Sequence, residues 1–272
     1  MKSYSHIAQK LFSEPLIITP QRHSALCNLL EAKMGNVVGE APMKNQGKDP
    51  EDDGSEIISM GRTAIIPVHG TLVMYPDDIA MSECGCSMED LSAMIDVAEN
   101  DSSISTVIYD FRTPGGTVTG IPEVARKIYN SQKNTIAFTA SECCSGGIWL
   151  ASQCERFYAT ESSRVGSVGV YCMMLDYTKA LEKEGVTVNA ISAGKFKLIG
   201  AYWKEMTAEE RKILQRGVDK IYDQFKAAME VRRAVSDENF GNGLVFDGEE
   251  AAAIGFTDGV VEDMEEILDD MV

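Results

Sequence analysis

Hydrophobic residues recur with two alternating periods after about residue 60, and this alternation predicts interleaved strands and helices. Short apolar runs rich in β-branched residues, typical of buried strands, cover Thr63–Val68, Thr106–Phe111 and Asn134–Ala140. Between them, residues 88–99 and 121–129 show the 3.6-residue period of amphipathic helices. Strands that alternate with helices in this way predict a layered α/β fold.

The second half of the chain continues the pattern with shorter elements and one long helix. Thr207 followed by Glu209 and Glu210 has the form of an N-cap with acidic residues in the first turn. The predicted strands are Arg156–Ala159, Ser167–Tyr171 and Val186–Ile191, and the predicted helices cover 149–153, 177–184 and 208–231.

The N-terminal part has a different character. Residues 1–37 are predicted to form a short helical arm, in which Pro15 and Pro20 flank the apolar run Leu16–Ile18. From residue 38 to 59 the chain is polar and acidic, which is typical of a linker or a mobile loop. We therefore divide the chain into an arm with its acidic linker, residues 1–60, and one domain, residues 61–272.

Composition narrows the classes of partner. A chain of 272 residues, 44% of them hydrophobic, can bury one sizeable core. Its formal net charge of −17 argues against nucleic acid and against anionic membranes, because both are bound by basic patches. No apolar stretch approaches the roughly 20 residues that span a bilayer, and no signal-peptide pattern follows Met1. A cytoplasmic protein without membrane or nucleic-acid partners is expected.

Cysteine usage is also typical of a cytoplasmic protein. The 7 cysteines are an odd number in a chain too large to need disulfides, so reduced thiols are expected. Cys84 and Cys86 form a Cys-Gly-Cys motif, but no second Cys/His pair has the spacing of a zinc site. We expect neither a metal nor a cofactor.

One serine lies where a predicted strand gives way to a helix. Ser145 follows the strand Asn134–Ala140 and precedes paired glycines and a helix-forming segment. Serine is a preferred N-cap and Ser-Gly-Gly a common turn, so a structural role is the simpler interpretation. The same junction also suits an acyl-transfer nucleophile, because the first N–H groups of a helix are unpaired donors. Gly146 and the loop Pro114–Gly116 offer backbone amides for an oxyanion.

The residue types and their spacing do not decide which side chain is the general base. One arrangement is a triad of His69, Asp110 and Ser145, since triads occur in several chain orders. The other is a lysine, and Lys195 and Lys197 follow a predicted strand among apolar residues. A neutral lysine amine can deprotonate a serine if burial lowers its pKa, although the acidic background favours the ammonium form.

Four motifs, in this order, resemble those of the signal peptide peptidase A family. They are Thr-Pro-Gly-Gly at 113–116, Cys-Ser-Gly-Gly-Ile-Trp at 144–149, Gly-Ser-Val-Gly-Val at 166–170 and Ser-Ala-Gly-Lys-Phe-Lys at 192–197. The resemblance covers roughly residues 61–261. It implies a serine peptidase domain over 61–272 with a ClpP/crotonase-like fold, a spiral of strand–strand–helix units.

The resemblance also implies a role for each matching residue. Ser145 matches the nucleophile, and Ser167 matches the serine that orients the lysine amine. Lys197 matches the general base in preference to Lys195, because it lies ten residues before Thr207 (207 − 197 = 10), as the family's lysine lies before its following helix.

The remaining positions follow from the same comparison of motifs. Gly116 and Gly146 match the oxyanion donors, and Gly115 lies in the substrate groove. His69 stands where relatives often have a small residue, which places it at the groove without a defined role.

The opening of the chain, Ile7 to Leu16, and the turn at 67–72 resemble the tailed-phage branch of the family. That branch implies a capsid assembly (head maturation) protease that cleaves scaffold and itself inside the procapsid, in the cytoplasm of the host bacterium. It also implies a homo-oligomer with scaffold and other prohead proteins as substrates. Since the chain ends soon after Asp258, a scaffold from a separate gene is expected.

Three alternatives to this function remain open. The first is a bacterial cytoplasmic peptidase of the same family that degrades peptides. The second is a non-hydrolytic, scaffold-binding capsid component of the same fold. The third is a crotonase-like acyl-CoA enzyme, which would use the oxyanion glycines without the serine.

Overall fold

β-Branched and aromatic residues form strands that are interleaved with short helices. The structure is a computed structural model. It describes residues 11, 14–34, 56–75, 85–236, 240 and 242–269, without the side chains of 29–34. The strands are β1 Leu16–Ile18, β2 Ile58–Met60, β3 Thr63–His69, β4 Thr71–Val73, β5 Gly85–Ser87, β6 Thr106–Arg112, β7 Gly115–Thr117, β8 Asn134–Thr139, β9 Glu142–Cys144, β10 Arg156–Ala159, β11 Arg164–Gly166, β12 Val245–Phe246 and β13 Gly259–Val260. The helices are α1 Pro20–Met34, α2 Met88–Asn100, α3 Ile121–Tyr129, α4 Gly146–Ala151, α5 Thr178–Lys183, α6 Ala208–Glu230, α7 Gly248–Ala253 and α8 Met264–Asp269.

The largest sheet within the described ranges has six strands in the order β13-β10-β8-β6-β3-β2. Its strands run parallel except at the β2 edge, which pairs antiparallel with β3. The central strand β6 is buried over six of its seven residues, as expected for a parallel strand covered on both faces. Helices α2, α3 and α4 contribute to the main core on one face, and Ile267 of α8 packs on the other.

Two smaller sheets include β4, β7, β9 and β11, each of which follows a strand of the large sheet along the chain. Their orders are β1-β7-β4-β5 and β12-β11-β9. Along the chain, β6 is followed by β7 and α3, and β8 is followed by β9 and α4. A backbone bridge joins Thr113, in the loop before β7, to Cys143 of β9. The loop before β7 therefore lies beside the segment that leads from β9 into α4.

The long helix α6 holds α4 in place. Its N-terminus carries a capping box in which the Thr207 hydroxyl accepts from the Glu210 N–H while the Glu210 carboxylate accepts from the Thr207 N–H. Near its C-terminus, Phe225 stacks on Trp149 of α4, with ring centroids 4.8 Å apart and planes 11° apart. Both aromatic side chains are buried, so this contact anchors the helix that begins at Gly146.

Most of the strand and helix predictions are confirmed, often to within a residue. The helix predicted at 88–99 is α2, with Leu91, Ile95 and Ala98 buried and Met94 half-buried against the same core. The predicted N-cap at Thr207 is also confirmed. The acidic linker predicted at 38–59 lies largely outside the described residues, which resume at residue 56.

Three predictions are wrong, each for a physical reason. The apolar run Leu16–Ile18, assigned to a helical arm, is the strand β1, because its partner β7 lies about a hundred residues away (116 − 17 = 99 for Ile17 and Gly116). The strand predicted at Ser167–Tyr171 instead ends at Gly166, since Ser167 has a φ of 55°. Val186–Ile191 has the alternation of a strand but is exposed and pairs with no neighbour among the described residues.

The described helices include none that is long and apolar enough to cross a membrane.

Candidate active site

Ser145 lies on a strained turn between β9 and α4. Its φ of 54° and ψ of −115° lie outside the regions that L-residues favour, at a cost of about 1–3 kcal/mol. The Ser145 N–H donates to the Gly166 carbonyl at 2.8 Å, and its carbonyl accepts from the Trp149 N–H at 3.2 Å. The side chain makes no capping hydrogen bond, so the N-cap interpretation does not account for this serine. The geometry is that of a nucleophile elbow.

The loop before β7 brings a second backbone amide toward this turn. The Gly115 N–H donates to the Thr113 hydroxyl oxygen at 3.1 Å, and that hydroxyl donates to the Gly70 carbonyl at 2.6 Å. The Gly115 amide is therefore engaged within its own loop, and the next amide, that of Gly116, is the better placed to serve as an oxyanion donor.

Close packing explains why glycine occupies three of these positions. A β-carbon on Gly116 would lie 1.9 Å from the Leu72 carbonyl oxygen, and one on Gly115 would lie 2.1 Å from the Ile17 carbonyl oxygen. A β-carbon on Gly147 would lie 2.4 Å from Thr113 Cγ2. No real β-carbon tolerates such distances, so the glycines let the backbones of two loops and β1 approach one another.

Ser167 adjoins the same turn. It follows Gly166, the residue that accepts from the Ser145 N–H, and its own N–H donates to the Leu244 carbonyl at 2.6 Å. Like Ser145 it combines a positive φ with burial, at 7% exposure. Strained backbones at two adjacent serines are characteristic of a functional site rather than of a solvent-exposed turn.

Lys197 lies apart from this cluster in the described structure. It is exposed in a turn where its N–H donates to the Gly194 carbonyl at 3.1 Å, and no hydrogen bond joins its ammonium to Ser145. Lys195 is also exposed and forms an ion pair with Glu209 at 2.7 Å. None of residues 171–209 is buried, so the lysine segment has no core of its own.

His69 and Asp110 form a pair, but Ser145 is not part of it. Asp110 Oδ2 accepts from His69 Nε2 at 2.9 Å and from Arg112 Nη2 at 2.9 Å, while Asp110 Oδ1 is buried without a hydrogen-bond partner. No hydrogen bond between described residues connects the His69 imidazole to the Ser145 hydroxyl. The carboxylate thus holds one histidine and one arginine at the end of β3 and β6.

The cysteines beside Ser145 are inert packing groups. Burial raises the pKa of the Cys144 thiol to about 12 and that of Cys143 well above its usual value. A thiol of this kind is protonated at neutral pH and is a poor nucleophile. Cys144 is completely buried, as expected of a side chain that serves in packing.

Sequence reasoning missed two contributors to the site. Leu16–Ile18 pairs with Gly115–Thr117, and Leu16 also pairs with Tyr171, so β1 lies between these two segments. Three aliphatic residues bracketed by prolines carry the composition of a short edge strand, which was the available signal. For Tyr171 no local signal exists, because its partner is 155 positions earlier (171 − 16 = 155).

Fold and site together define the class of the protein. A serine on a strained strand-to-helix turn, beside two glycine amides in a parallel α/β framework, is the arrangement of a serine peptidase. The chain belongs to peptidase family S49, whose sequence profile matches residues 127–271. That range contains Ser145, Ser167 and Lys197.

Individual relatives agree with this membership. The chain is 27% identical to the head-tail preconnector protein of Enterobacteria phage P21 over 96% of its own length and 56% of the relative. It is 26% identical to capsid assembly protease C of Escherichia phage lambda, over 98% of its own length and 65% of the relative. A putative signal peptide peptidase SppA of Enterococcus faecium is 27% identical over 60% of this chain and 49% of the relative. The chain therefore spans less than two thirds of these relatives.

Proposed function

We propose that the chain is a serine endopeptidase in which Ser145 is the nucleophile and Lys197 the general base. The observation that carries the proposal is the strained Ser145 turn, whose hydroxyl makes no cap bond and which lies beside the Gly116 and Gly146 amides. As the first N–H of α4, the Gly146 amide has no partner within its helix. The order of strands and helices supports a ClpP/crotonase-like spiral of strand–strand–helix units around this site.

In the proposed reaction, Ser145 Oγ attacks the substrate carbonyl carbon while its proton passes to the neutral Lys197 amine. The Gly116 and Gly146 N–H groups donate to the resulting oxyanion. Collapse breaks the C–N bond, and the lysine ammonium returns its proton to the leaving amine. After the leaving amine departs, the Lys197 amine removes a proton from water, and the resulting hydroxide attacks the acyl group. The acyl group is released from Ser145 Oγ, which takes its proton back from the Lys197 ammonium. Ser167 would orient Lys197 as a hydrogen-bond partner.

Lys197 must be desolvated for this role, and a second copy of the chain is the proposed source of burial. The unburied segment 171–209 exposes large apolar side chains, which include Leu175, Tyr177, Val186, Val188, Ile191 and Tyr202. So many exposed apolar side chains in one segment favour an interaction surface over a solvated loop. Packing between copies would cover it and lower the pKa of the lysine. We therefore propose a homo-oligomer as the active form.

The relatives support a proposal for the biological setting. A capsid assembly protease and a head-tail preconnector protein match nearly the whole chain. We propose that this chain matures phage heads by cleaving scaffold and itself within the procapsid, in the host cytoplasm. Substrates would be scaffold and other prohead proteins, with no role for nucleic acid or membrane.

The decisive experiment measures cleavage of a denatured general substrate and of the co-encoded scaffold protein, with products identified by mass spectrometry. We expect Ser145→Ala to lower both rates by about 10³-fold or more. Lys197→Ala should do the same, and Lys197→Arg should not rescue it, because guanidinium does not lose its proton. Lys195→Ala is the matched control and should retain activity.

Other outcomes would assign a different function. Loss of activity in His69→Ala with full activity in Lys197→Ala would establish the triad instead of the dyad. Cleavage of the general substrate without cleavage of scaffold would favour a cytoplasmic peptidase. Scaffold binding by a wild-type protein that cleaves neither would identify a non-hydrolytic capsid component.

A further inference from the structure

We propose that the chain's own Leu16–Ile18 occupies, in the manner of a substrate, the slot between Gly115–Thr117 and Tyr171, which is the substrate groove that the family resemblance assigns to Gly115. The slot is defined as the gap that β1 fills. The proposal rests on the function proposed above and adds the substrate class: an extended segment with consecutive branched aliphatic residues, which must displace β1 to bind.

Hydrogen bonds hold β1 along both of its edges. On one side, the Leu16 N–H donates to the Tyr171 carbonyl at 2.8 Å, and the Tyr171 N–H donates to the Leu16 carbonyl at 3.1 Å. On the other side, β1 runs antiparallel to β7 with Ile17 opposite Gly116. Addition of an extended peptide to the edge of a sheet through main-chain hydrogen bonds is a recurring mode of peptide recognition, and β1 makes such bonds along both of its edges.

The register directs the Gly116 amide at one carbonyl of β1. The Thr19 N–H donates to the Pro114 carbonyl at 2.9 Å, which makes these two residues a hydrogen-bonded pair. Hydrogen-bonded pairs alternate with non-bonded pairs in an antiparallel ladder, so the next one joins Ile17 to Gly116. The Gly116 N–H, the proposed oxyanion donor, therefore faces the Ile17 carbonyl.

The same carbonyl lies beside the nucleophile. The point where a Gly115 β-carbon would stand is 2.1 Å from the Ile17 carbonyl oxygen and 3.0 Å from both the Gly146 nitrogen and Ser145 Cβ. The Ile17 side chain reaches Gly146, with Cδ1 3.1 Å from where a β-carbon of that glycine would lie. Ile17 thus occupies the position of the residue whose carbonyl a substrate would present to Ser145.

The chemistry of the occupant indicates what the slot accepts. Leu16, Ile17 and Ile18 are each at most 3% exposed, so the slot buries three consecutive aliphatic side chains. A charged or strongly polar residue at the central position would lose its hydration without a partner. We expect substrates to carry branched aliphatic residues at these three positions.

A hydrogen-bonded histidine keeps the occupant in place. Burial lowers the pKa of His23 on α1, which favours the neutral ring with a single N–H. Nε2 donates that proton to the Leu11 carbonyl at 2.9 Å, and Nδ1 accepts from the Tyr171 hydroxyl at 2.8 Å. Tyr171 therefore holds β1 through its backbone and the following helix through its side chain.

The first test measures binding without catalysis, in a Ser145→Ala background. A fluorescent, end-blocked peptide of sequence Pro-Leu-Ile-Ile-Thr is titrated against this protein and against the same protein carrying Ile17→Asp. Because the aspartate disfavours insertion of β1, we expect at least tenfold tighter binding by anisotropy. The matched control is Ile267→Asp, which places a charge in the other core cluster and should not open the slot. Equal affinity of a folded Ile17→Asp protein and its parent would overturn the proposal.

A second test does not require β1 to leave. Leu16 and Thr117 are opposite each other in a non-bonded pair, where Cα atoms lie about 4.5 Å apart, within the range of a disulfide. The double variant Leu16→Cys/Thr117→Cys should lose peptide binding at least tenfold on oxidation and regain it on reduction, whereas its parent should not respond. Undiminished binding by the oxidised protein would refute the proposal. Peptide binding by a wild-type protein that hydrolyses nothing would leave the slot intact and reject only the proposed catalysis.

Discussion

The backbone at Ser145 illustrates how single residues define this site. Ser145 and Ser167 are the non-glycine residues with positive φ in the described ranges, and one hydrogen bond, from Ser145 N–H to Gly166 carbonyl, joins their turns. The paired strain persists because buried neighbours over-determine it. Burial also raises the pKa of the adjacent Cys143 and Cys144 thiols, so both stay protonated near neutral pH. The site therefore selects an oxygen nucleophile although a cysteine lies next to it.

At this scale we predict that Cys144→Ala retains most of the hydrolytic activity, whereas Ser145→Ala loses it. With its pKa raised to about 12, the Cys144 thiol has almost no thiolate near neutral pH. Alkylation of the folded protein by iodoacetamide, followed by mass spectrometry, should accordingly leave Cys144 unmodified until the protein is denatured. Rapid labelling in the folded state, or an inactive Cys144→Ala protein, would contradict this.

A second prediction concerns the close approach at Gly116. The substitution Gly116→Ala forces a β-carbon against the Leu72 carbonyl and should lower the free energy of unfolding by about 1–3 kcal/mol. Gly169→Ala is the matched control, since nothing lies within 4 Å of its β-carbon position, and it should change stability by less than about 0.5 kcal/mol. Urea denaturation measures both. Similar urea midpoints for the two variants would contradict this, since they would mean that the backbone at Gly116 moves to make room for the β-carbon.

At the scale of elements, the local parts of this structure were predictable and the long-range parts were not. The turn at Ser145 was predictable because a β-branched strand, paired glycines and helix formers follow one another within a short stretch. The strand β1 was not, because three residues form a strand only through partners that the fold brings from elsewhere. The same holds for Val186–Ile191, whose alternation found no neighbouring strand. The position of Lys197 relative to Ser145 is likewise a matter of packing beyond its own segment.

The start of α6 gives a prediction for pH. A hydrogen bond from Lys204, assisted by the Thr207 N–H, lowers the pKa of Glu210 from its usual 4.5 to about 2. A carboxyl whose pKa falls on folding adds stability above its unfolded pKa and loses it as the pH falls through the folded value. Glu210→Gln should therefore be less stable than wild type at neutral pH, and the gap should close as the pH falls from 4.5 towards 2.

Urea midpoints over that pH range measure the effect. Glu209→Gln is the matched control on the same helical turn, where the exposed carboxylate forms an ion pair with the exposed Lys195, and its difference from wild type should be small. A Glu210→Gln gap that stayed constant with pH would show that the ionisation of Glu210 does not supply the stability, since glutamine at this position can also form a capping box.

At the scale of the molecule, one buried arginine joins the C-terminal segment to the rest of the fold. The Arg233 side chain is 2% exposed, forms an ion pair with Asp258 and donates to the Cys154 carbonyl at 2.7 Å. The Asp258 carboxylate also accepts from the Phe157 N–H at 2.7 Å. These bonds connect the end of α6, the strand β10 and the turn before β13.

Removal of either partner should therefore loosen the C-terminal segment. Because Asp258 is partly exposed, we expect Asp258→Ala to lower the free energy of unfolding by about 2–3 kcal/mol, as it leaves the buried guanidinium without its counter-ion. Glu262→Ala, which removes a nearby exposed carboxylate outside this cluster, is the control and should leave exchange in β13 and α7 unchanged. Hydrogen exchange should show faster exchange in β13 and α7 of Asp258→Ala, and unchanged exchange there would contradict the assignment.

Because β1 precedes the residues of the site in the chain, the order of events during synthesis has a consequence. The ribosome makes Leu16–Ile18 long before Gly115, Ser145 and Tyr171, so the occupant is already present when the walls of the slot emerge. The groove would close around its own chain as it forms, and no interval would exist in which a newly made copy could digest other proteins of the cell. Under the proposal above, activity would begin only after crowding with aliphatic competitor segments, or assembly of the shell around them, draws β1 out. A protein whose restraint precedes its catalytic residues in the chain would need no separate inhibitor during synthesis.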